Sequence, residues 1–142
     1  MIRRVDLAEF RARCGHLVEA AAVETKLPSQ VLWPVFEELE SRGMLLVLLL
    51  EVEEQPRGYA AAVMTPDWVG GEFGLATLSA YLQPDCRWSW TRRLLAELYA
   101  YCGVAGGRTL RVQALPGTRF CRLLTLLGFE AKTVVFERRV LN

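Results

Sequence analysis

From Met44 to Leu50 every residue is apolar, with no charge or turn residue to interrupt the run. A half-wet strand alternates polar and apolar positions, whereas a strand covered on both faces does not. Seven residues fall far short of the roughly 20 needed to cross a membrane. The stretch Met44 to Val52 is therefore expected to be a central strand with helices packed above and below it, which sets the class as α/β.

The flanking sequence supplies those helices. Asp6 before Leu7, with Glu9 three positions on, has the form of a capping box. Leu7, Phe10, Cys14, Leu17, Val18 and Ala21 recur at helical spacing, predicting a first helix to about Glu24. Leu32, Val35, Phe36 and Leu39 mark a second, with Pro34 expected in its first turn and Gly43 as its C-terminal cap. Ile2 to Val5 reads as a short strand. After Val52, Gln55-Pro56-Arg57-Gly58 reads as a turn, Tyr59 to Met64 and Phe73 to Leu82 as strands, and the stretch from Thr65 to Gly71 as a loop. Ser89 or Thr91 is the expected cap of a helix carrying Leu94, Leu95, Leu98 and Cys102, ended by Gly103. A strand from Thr109 to Leu115, a helix carrying Phe120, Leu123, Leu124 and Leu127 and capped by Gly128, and a strand from Lys132 to Val140 complete the pattern. Three consecutive strands pair as a meander, and the strand-helix-strand unit over 73–115 requires a right-handed parallel crossover. The 142 residues are expected to form a single domain.

Composition narrows the function classes. A net charge of +1 with 23% charged residues gives no basic excess for phosphate neutralisation, so no nucleic-acid partner is indicated. The arginines near the N-terminus are followed by no long apolar stretch, so neither a signal peptide nor a membrane span is expected. Cys14, Cys86, Cys102 and Cys121 have no metal-knuckle or redox-pair spacing, and are read as thiols in a reducing, cytoplasmic setting.

The element order resembles the GNAT acyltransferases. Leu82-Gln83-Pro84-Asp85-Cys86-Arg87 is similar to that family's V-x-P-x-x-R strand end, Leu94-Leu95 to the leucine pair of the helix that follows, and Leu126-Leu127-Gly128-Phe129 to its closing L-G-F signature. The resemblance implies a GNAT fold, with a mixed, mostly antiparallel sheet flanked by helices on both faces. It also implies acetyl-CoA as cofactor. The Leu82 amide would polarise the thioester carbonyl, and Arg87, Ser89, Thr91, Arg92 and Arg93 would lie about the pyrophosphate. Glu72 stands near where family members keep a base, and Tyr81 can donate a proton from its strand end.

The departures are specific. The family's phosphate loop is glycine-rich because backbone amides must approach the pyrophosphate at a helix N-terminus. Here Arg87-Trp88-Ser89-Trp90-Thr91-Arg92-Arg93 has no glycine and two indoles. The family's frequent tyrosine, the acid for the leaving thiolate, falls on Leu124, and its asparagine on Gly117. The helix Phe120 to Gly128 is also similar in character to that of GNAT-like internal virion proteins of short-tailed phages. Trp68, Trp88 and Trp90, near arginines, are candidate anchors for other protein subunits.

Two readings follow. The eroded motifs weigh toward a non-catalytic structural or interaction subunit, in a phage particle or the cytoplasm, without cofactor. The alternative is an acetyl-CoA-dependent N-acetyltransferase with an atypical pyrophosphate loop. His16 and Cys86 have no catalytic companion nearby in sequence and are read as structural.

Overall fold

In the computed structural model the described residues are 1–25, 28–66, 71–114, 117–132, 138 and 140. They form β1 (Ile2–Arg4), α1 (Leu7–Thr25), α2 (Ser29–Ser41), β2 (Leu45–Val52), β3 (Gln55–Pro66), β4 (Phe73–Leu82), α3 (Arg87–Val104), β5 (Thr109–Arg111) and α4 (Arg119–Leu126). The chain divides into two compact units, Met1–Val112 and Gln113–Asn142. Most of the expected strand from Lys132 to Val140 lies outside the described residues, as does Trp68.

The first unit is a five-stranded sheet in the order β1-β2-β3-β4-β5. The first four strands are antiparallel neighbours, and β5 joins β4 in parallel after the α3 crossover. The apolar run behaves as its composition requires. Val47 and Leu49 enter one core with Phe10, Phe36 and Tyr59, while Leu46, Leu48 and Leu50 enter another with Leu94, Leu98 and Cys102. Each fully buried leucine contributes roughly 1.5–3 kcal/mol. The six apolar residues expected on the inner face of α1 are its buried set.

Three local expectations need correction. The β2–β3 turn is not Gln55 to Gly58. Val52 pairs with Gln55, so the loop is Glu53-Glu54, and both residues have positive φ, 52° and 65°. Gln55 to Gly58 belongs to β3, where the register shift between Leu50 and Glu51 absorbs Arg57. Pro34 lies inside α2 and not in its first turn, because the extended Pro28 already supplies the N-cap. Gly43, with φ of 67°, follows the Arg42 C-cap as expected. The cap of α3 is Cys86, not Ser89 or Thr91, and the helix ends at Val104 rather than Gly103.

Two tests of stability arise here. A two-residue hairpin with both φ values positive favours Asn-Gly, and side chains with a Cβ are strained there. The double substitution Glu53→Asn, Glu54→Gly is expected to raise stability by about 1 kcal/mol in urea denaturation. Beside this hairpin, Arg3 Nε donates to Glu51 Oε1 (2.5 Å), Arg13 Nη1 to Glu51 Oε2 (2.7 Å), and Arg3 also pairs with Glu9. Hydrogen bonds from Arg13 and Arg3 hold the Glu51 carboxyl below its ordinary range, and Arg3 does the same for Glu9. A carboxylate whose folded pKa is depressed adds stability above its unfolded value, near 4.5, and loses it as pH falls through the folded value. The urea midpoint is therefore expected to fall as pH drops below about 4.5, with a shallower fall in Glu51→Gln.

In the second unit, Thr118 Oγ1 accepts from the Cys121 amide (3.2 Å) and caps α4. Gly128, at φ 91°, turns the chain so that Phe129 N donates to Leu124 O (3.0 Å).

Candidate functional site

The β4 strand is held along its length by β3 but by β5 only from Gly74 to Ala76. Among the described residues no strand pairs with β4 beyond Ala76 on that side. A bulge leaves Leu78 without a partner, since Ala61 pairs with Ser79 and Ala62 with Thr77, and Leu78 is 36% exposed. Gln83 N donates to Arg57 O (2.9 Å), which sets the phase of the ladder. Antiparallel pairs alternate between bonded and non-bonded. The peptide groups of Leu82 and Ala80 consequently face away from β3, onto the edge that no described strand pairs with. Gly58 makes the close packing at this point possible. A Cβ there would lie 2.3 Å from Leu82 Cδ2 and 2.7 Å from Tyr81 O.

The edge runs into the start of α3. Its N-cap residue, Cys86, makes no side-chain cap hydrogen bond. Ser89 Oγ donates to Cys86 O (3.0 Å) and remains exposed. Thr91 is buried and donates to Arg87 O, so it is turned away from any phosphate. Trp90 packs into the Leu48–Leu98 core and carries the Arg93 guanidinium 4.8 Å from its ring, while Arg92 is exposed. Trp88 is half-buried. The Cys86 thiol donates to Gln83 O (3.4 Å), and burial pushes its pKa up, the wrong direction for a nucleophile.

Arg87 is the most engaged of the expected residues. Its Nε and Nη2 donate to Leu82 O (3.3 and 3.0 Å), Nη2 also to Glu24 Oε2 (3.0 Å), and the guanidinium lies 5.6 Å from the Tyr81 ring centre. Tyr81 packs against the α1/α2 core, next to Tyr59 across the ladder. The Tyr59 hydroxyl is bonded to Ser79 Oγ (2.7 Å), and burial pushes the phenol up to about 12.

Leu82, Arg87 and Tyr81 are thus brought together, with Ser89 and Arg92 on the first turns of α3. Glu72 is not among them. It is exposed just before Phe73, at the opposite end of a ten-residue strand, roughly 30 Å from Leu82. His16 is exposed on α1. Leu124, where the family's tyrosine falls, is buried on α4. Sequence reading missed Glu24, whose partner is 63 residues away, and Gly58, whose glycine was assigned to a turn. A glycine within a strand signals close approach.

Among the described residues no cluster of His, Cys, Asp or Glu can hold a metal ion, and no helix is long and apolar enough to cross a membrane. A cavity of about 340 Å³ lined by Arg4, Asp6, Glu40 and Val47 lies by the β1 edge, remote from β4.

No family model and no curated protein matches the chain. Solved structures do. A putative acetyl transferase from Pyrococcus furiosus is similar at a TM-score of 0.79 and 15% identity, over 99% of this chain and 100% of that one. The aminoglycoside N-acetyltransferase AAC(6')-Iy, in complex with the bisubstrate analogue CoA-S-monomethyl-acetylneamine, is similar at 0.76 and 18%, over 99% and 98%. The ribosomal-protein-alanine N-acetyltransferase from Brucella melitensis is similar at 0.73 and 16%, over 99% of each chain. The chain has the fold of the GNAT acetyltransferases. The likeness to phage virion proteins gains no support from these structures.

Proposed function

We propose that this chain, with its GNAT fold, is an acetyl-CoA-dependent N-acetyltransferase with an atypical pyrophosphate loop. One observation carries the reading: the β4 edge that no described strand pairs with, bearing the outward-facing Leu82 amide, leads directly to a helix start whose N-cap residue, Cys86, makes no side-chain cap hydrogen bond.

The residues present fit the cofactor better than their sequence implies. The loop lacks glycine, but the partly buried Trp90 indole packs against the Leu48–Leu98 core. First-turn amides and the helix dipole favour an anion there, and the exposed Arg92 adds charge. Acetyl-CoA supplies an activated acyl group. Arg92 and the α3 start would hold its pyrophosphate, and the Leu82 amide its thioester oxygen. Tyr81, adjacent to Leu82, is the candidate proton donor, since a leucine at position 124 has none to give.

The test is calorimetric titration of the purified chain with acetyl-CoA. Micromolar binding is expected, followed by transfer to primary amines that falls about a hundredfold in Tyr81→Phe. Absence of binding at millimolar cofactor would sink this reading in favour of a non-catalytic interaction subunit. Such a subunit would be consistent with the leucine at position 124 and with half-buried indoles beside arginines.

A further inference from the structure

The contacts of Arg87 describe a receptor for a cation, filled by the chain's own side chain. The guanidinium is received by three groups of different kinds: the Leu82 carbonyl, the Glu24 carboxylate and the face of the Tyr81 ring. A backbone carbonyl, a carboxylate and an aromatic face together form a site for positive charge rather than for anions or apolar groups. The three come from α1 and from two adjacent positions of β4, and none is supplied by α3, which bears the arginine. The receptor is therefore independent of its present occupant.

The occupant can be displaced by a competing cation. The ion pair to Glu24, with side chains 29% and 53% exposed, contributes little stability, and a cation that donates to Leu82 O and faces the Tyr81 ring replaces the other contacts Arg87 gives up. Arginine also has a long, flexible stem, so its head can leave while its backbone stays in the helix. When it leaves, Leu82 O takes another donor, which the incoming cation or water supplies.

We propose that this box is the subsite for an alkylammonium group of the acceptor, and that Arg87 occupies it in the resting chain. An ammonium has three N–H donors on a compact head, enough for the carbonyl and the carboxylate while its remaining face meets the ring. The position suits the acyltransferase reading, on which the catalytic role of this subsite rests. The carbonyl that receives the cation belongs to the same residue whose amide would hold the thioester oxygen. An ammonium placed there lies about one peptide unit from the acyl group, and it attacks only after passing a proton to the Glu24 carboxylate it is bonded to. A polycationic acceptor is favoured, with one ammonium in the box and its other charges in solvent.

Cofactor is not needed for the test, so the subsite and the acyltransferase reading can fail separately. Spermidine is titrated calorimetrically into the full chain at constant ionic strength, with sodium chloride as the control. Arg87→Ala empties the box and is expected to bind spermidine about tenfold tighter than the natural chain. Adding Glu24→Gln to that variant is expected to abolish the gain. Equal affinities in the natural chain and Arg87→Ala overturn the proposal, as does a gain that survives Glu24→Gln. Arg87→Gln, which retains a side-chain amide donor for Leu82 O, serves if the alanine variant loses its circular dichroism signal. It is expected to show a smaller gain, and no gain in it overturns the proposal equally.

Discussion

A methyl group added at Gly74 is expected to destabilise the chain by about 3 kcal/mol, at the upper end of what overpacking costs. Its Cβ would lie 2.2 Å from Thr109 O, 2.4 Å from Thr109 Oγ1 and 3.0 Å from the Thr109 carbonyl carbon. Two of those atoms are backbone, so relief requires β5 to move as a strand. That strand is tied to β4 by only three register pairs. A clamp also holds Thr109 in place, because Arg111 Nη1 donates to Thr109 Oγ1 (2.9 Å) and Nη2 to Thr65 O (3.0 Å). Shifting Thr109 therefore disturbs β3, β4 and β5 together. Urea denaturation of Gly74→Ala against Gly103→Ala checks this. Gly103 sits in α3 with nothing within 4 Å of an added Cβ, and alanine there is expected to be neutral or slightly stabilising. Equal midpoints in the two variants would show that β5 is not packed on Gly74 in this way.

Gly58→Ala is expected to act on binding more than on folding. Its Cβ would strike Leu82 Cδ2 at 2.3 Å, which a rotamer change can relieve, and Tyr81 O at 2.7 Å, which only a backbone shift can relieve. That shift falls on the two residues that carry the proposed thioester amide and the proton donor. A displacement near 1 Å at a reacting centre can cost about a hundredfold, so acetyl-CoA affinity or turnover should fall by about that much. The loss of stability should be nearer 2 kcal/mol. Gly15→Ala, in α1 with open space around its Cβ, is the control for both readouts.

Periodic burial made the fold legible. The inner face of α1 follows from helical spacing, and Leu94, Leu95, Leu98 and Cys102 are buried on α3 as their spacing requires, with Thr91 added. The β2–β3 turn was not legible, because glutamates at positive φ carry no turn signal while Pro56 and Gly58 a few residues on carry a strong one. The start of α3 was misplaced for a similar reason. Ser89 and Thr91 are good caps in composition, yet both spend their hydroxyls on carbonyls of the preceding turn. The site was legible at Leu82, Tyr81 and Arg87, which a short motif keeps together. It was not legible at Glu24, whose approach to Arg87 depends on how α1 lies across the sheet. Nor did proximity in sequence to the third strand bring Glu72 to the site, because a ten-residue strand separates its two ends.

The two-sided burial of β2 also sets a timing problem during synthesis. Leu46, Leu48 and Leu50 project toward a core whose other half, Leu94 to Cys102, is made about 50 residues later. At 5–20 residues per second that interval lasts roughly 3–10 seconds. The β2–β3 hairpin can close in about 1–10 microseconds once β3 has emerged, and α1 and α2, already made, can cover the Val47–Leu49 side. The other side stays bare until α3 arrives, on an uncharged segment of the kind that pairs with copies of itself. Charged residues stand at both ends of that segment, Arg42 before it and Glu51, Glu53 and Glu54 after it. They are the chain's own protection during the interval, and for Arg42, Glu53 and Glu54, which stand outside the Glu51 ion-pair network, yield on expression should depend on them more than folded stability does.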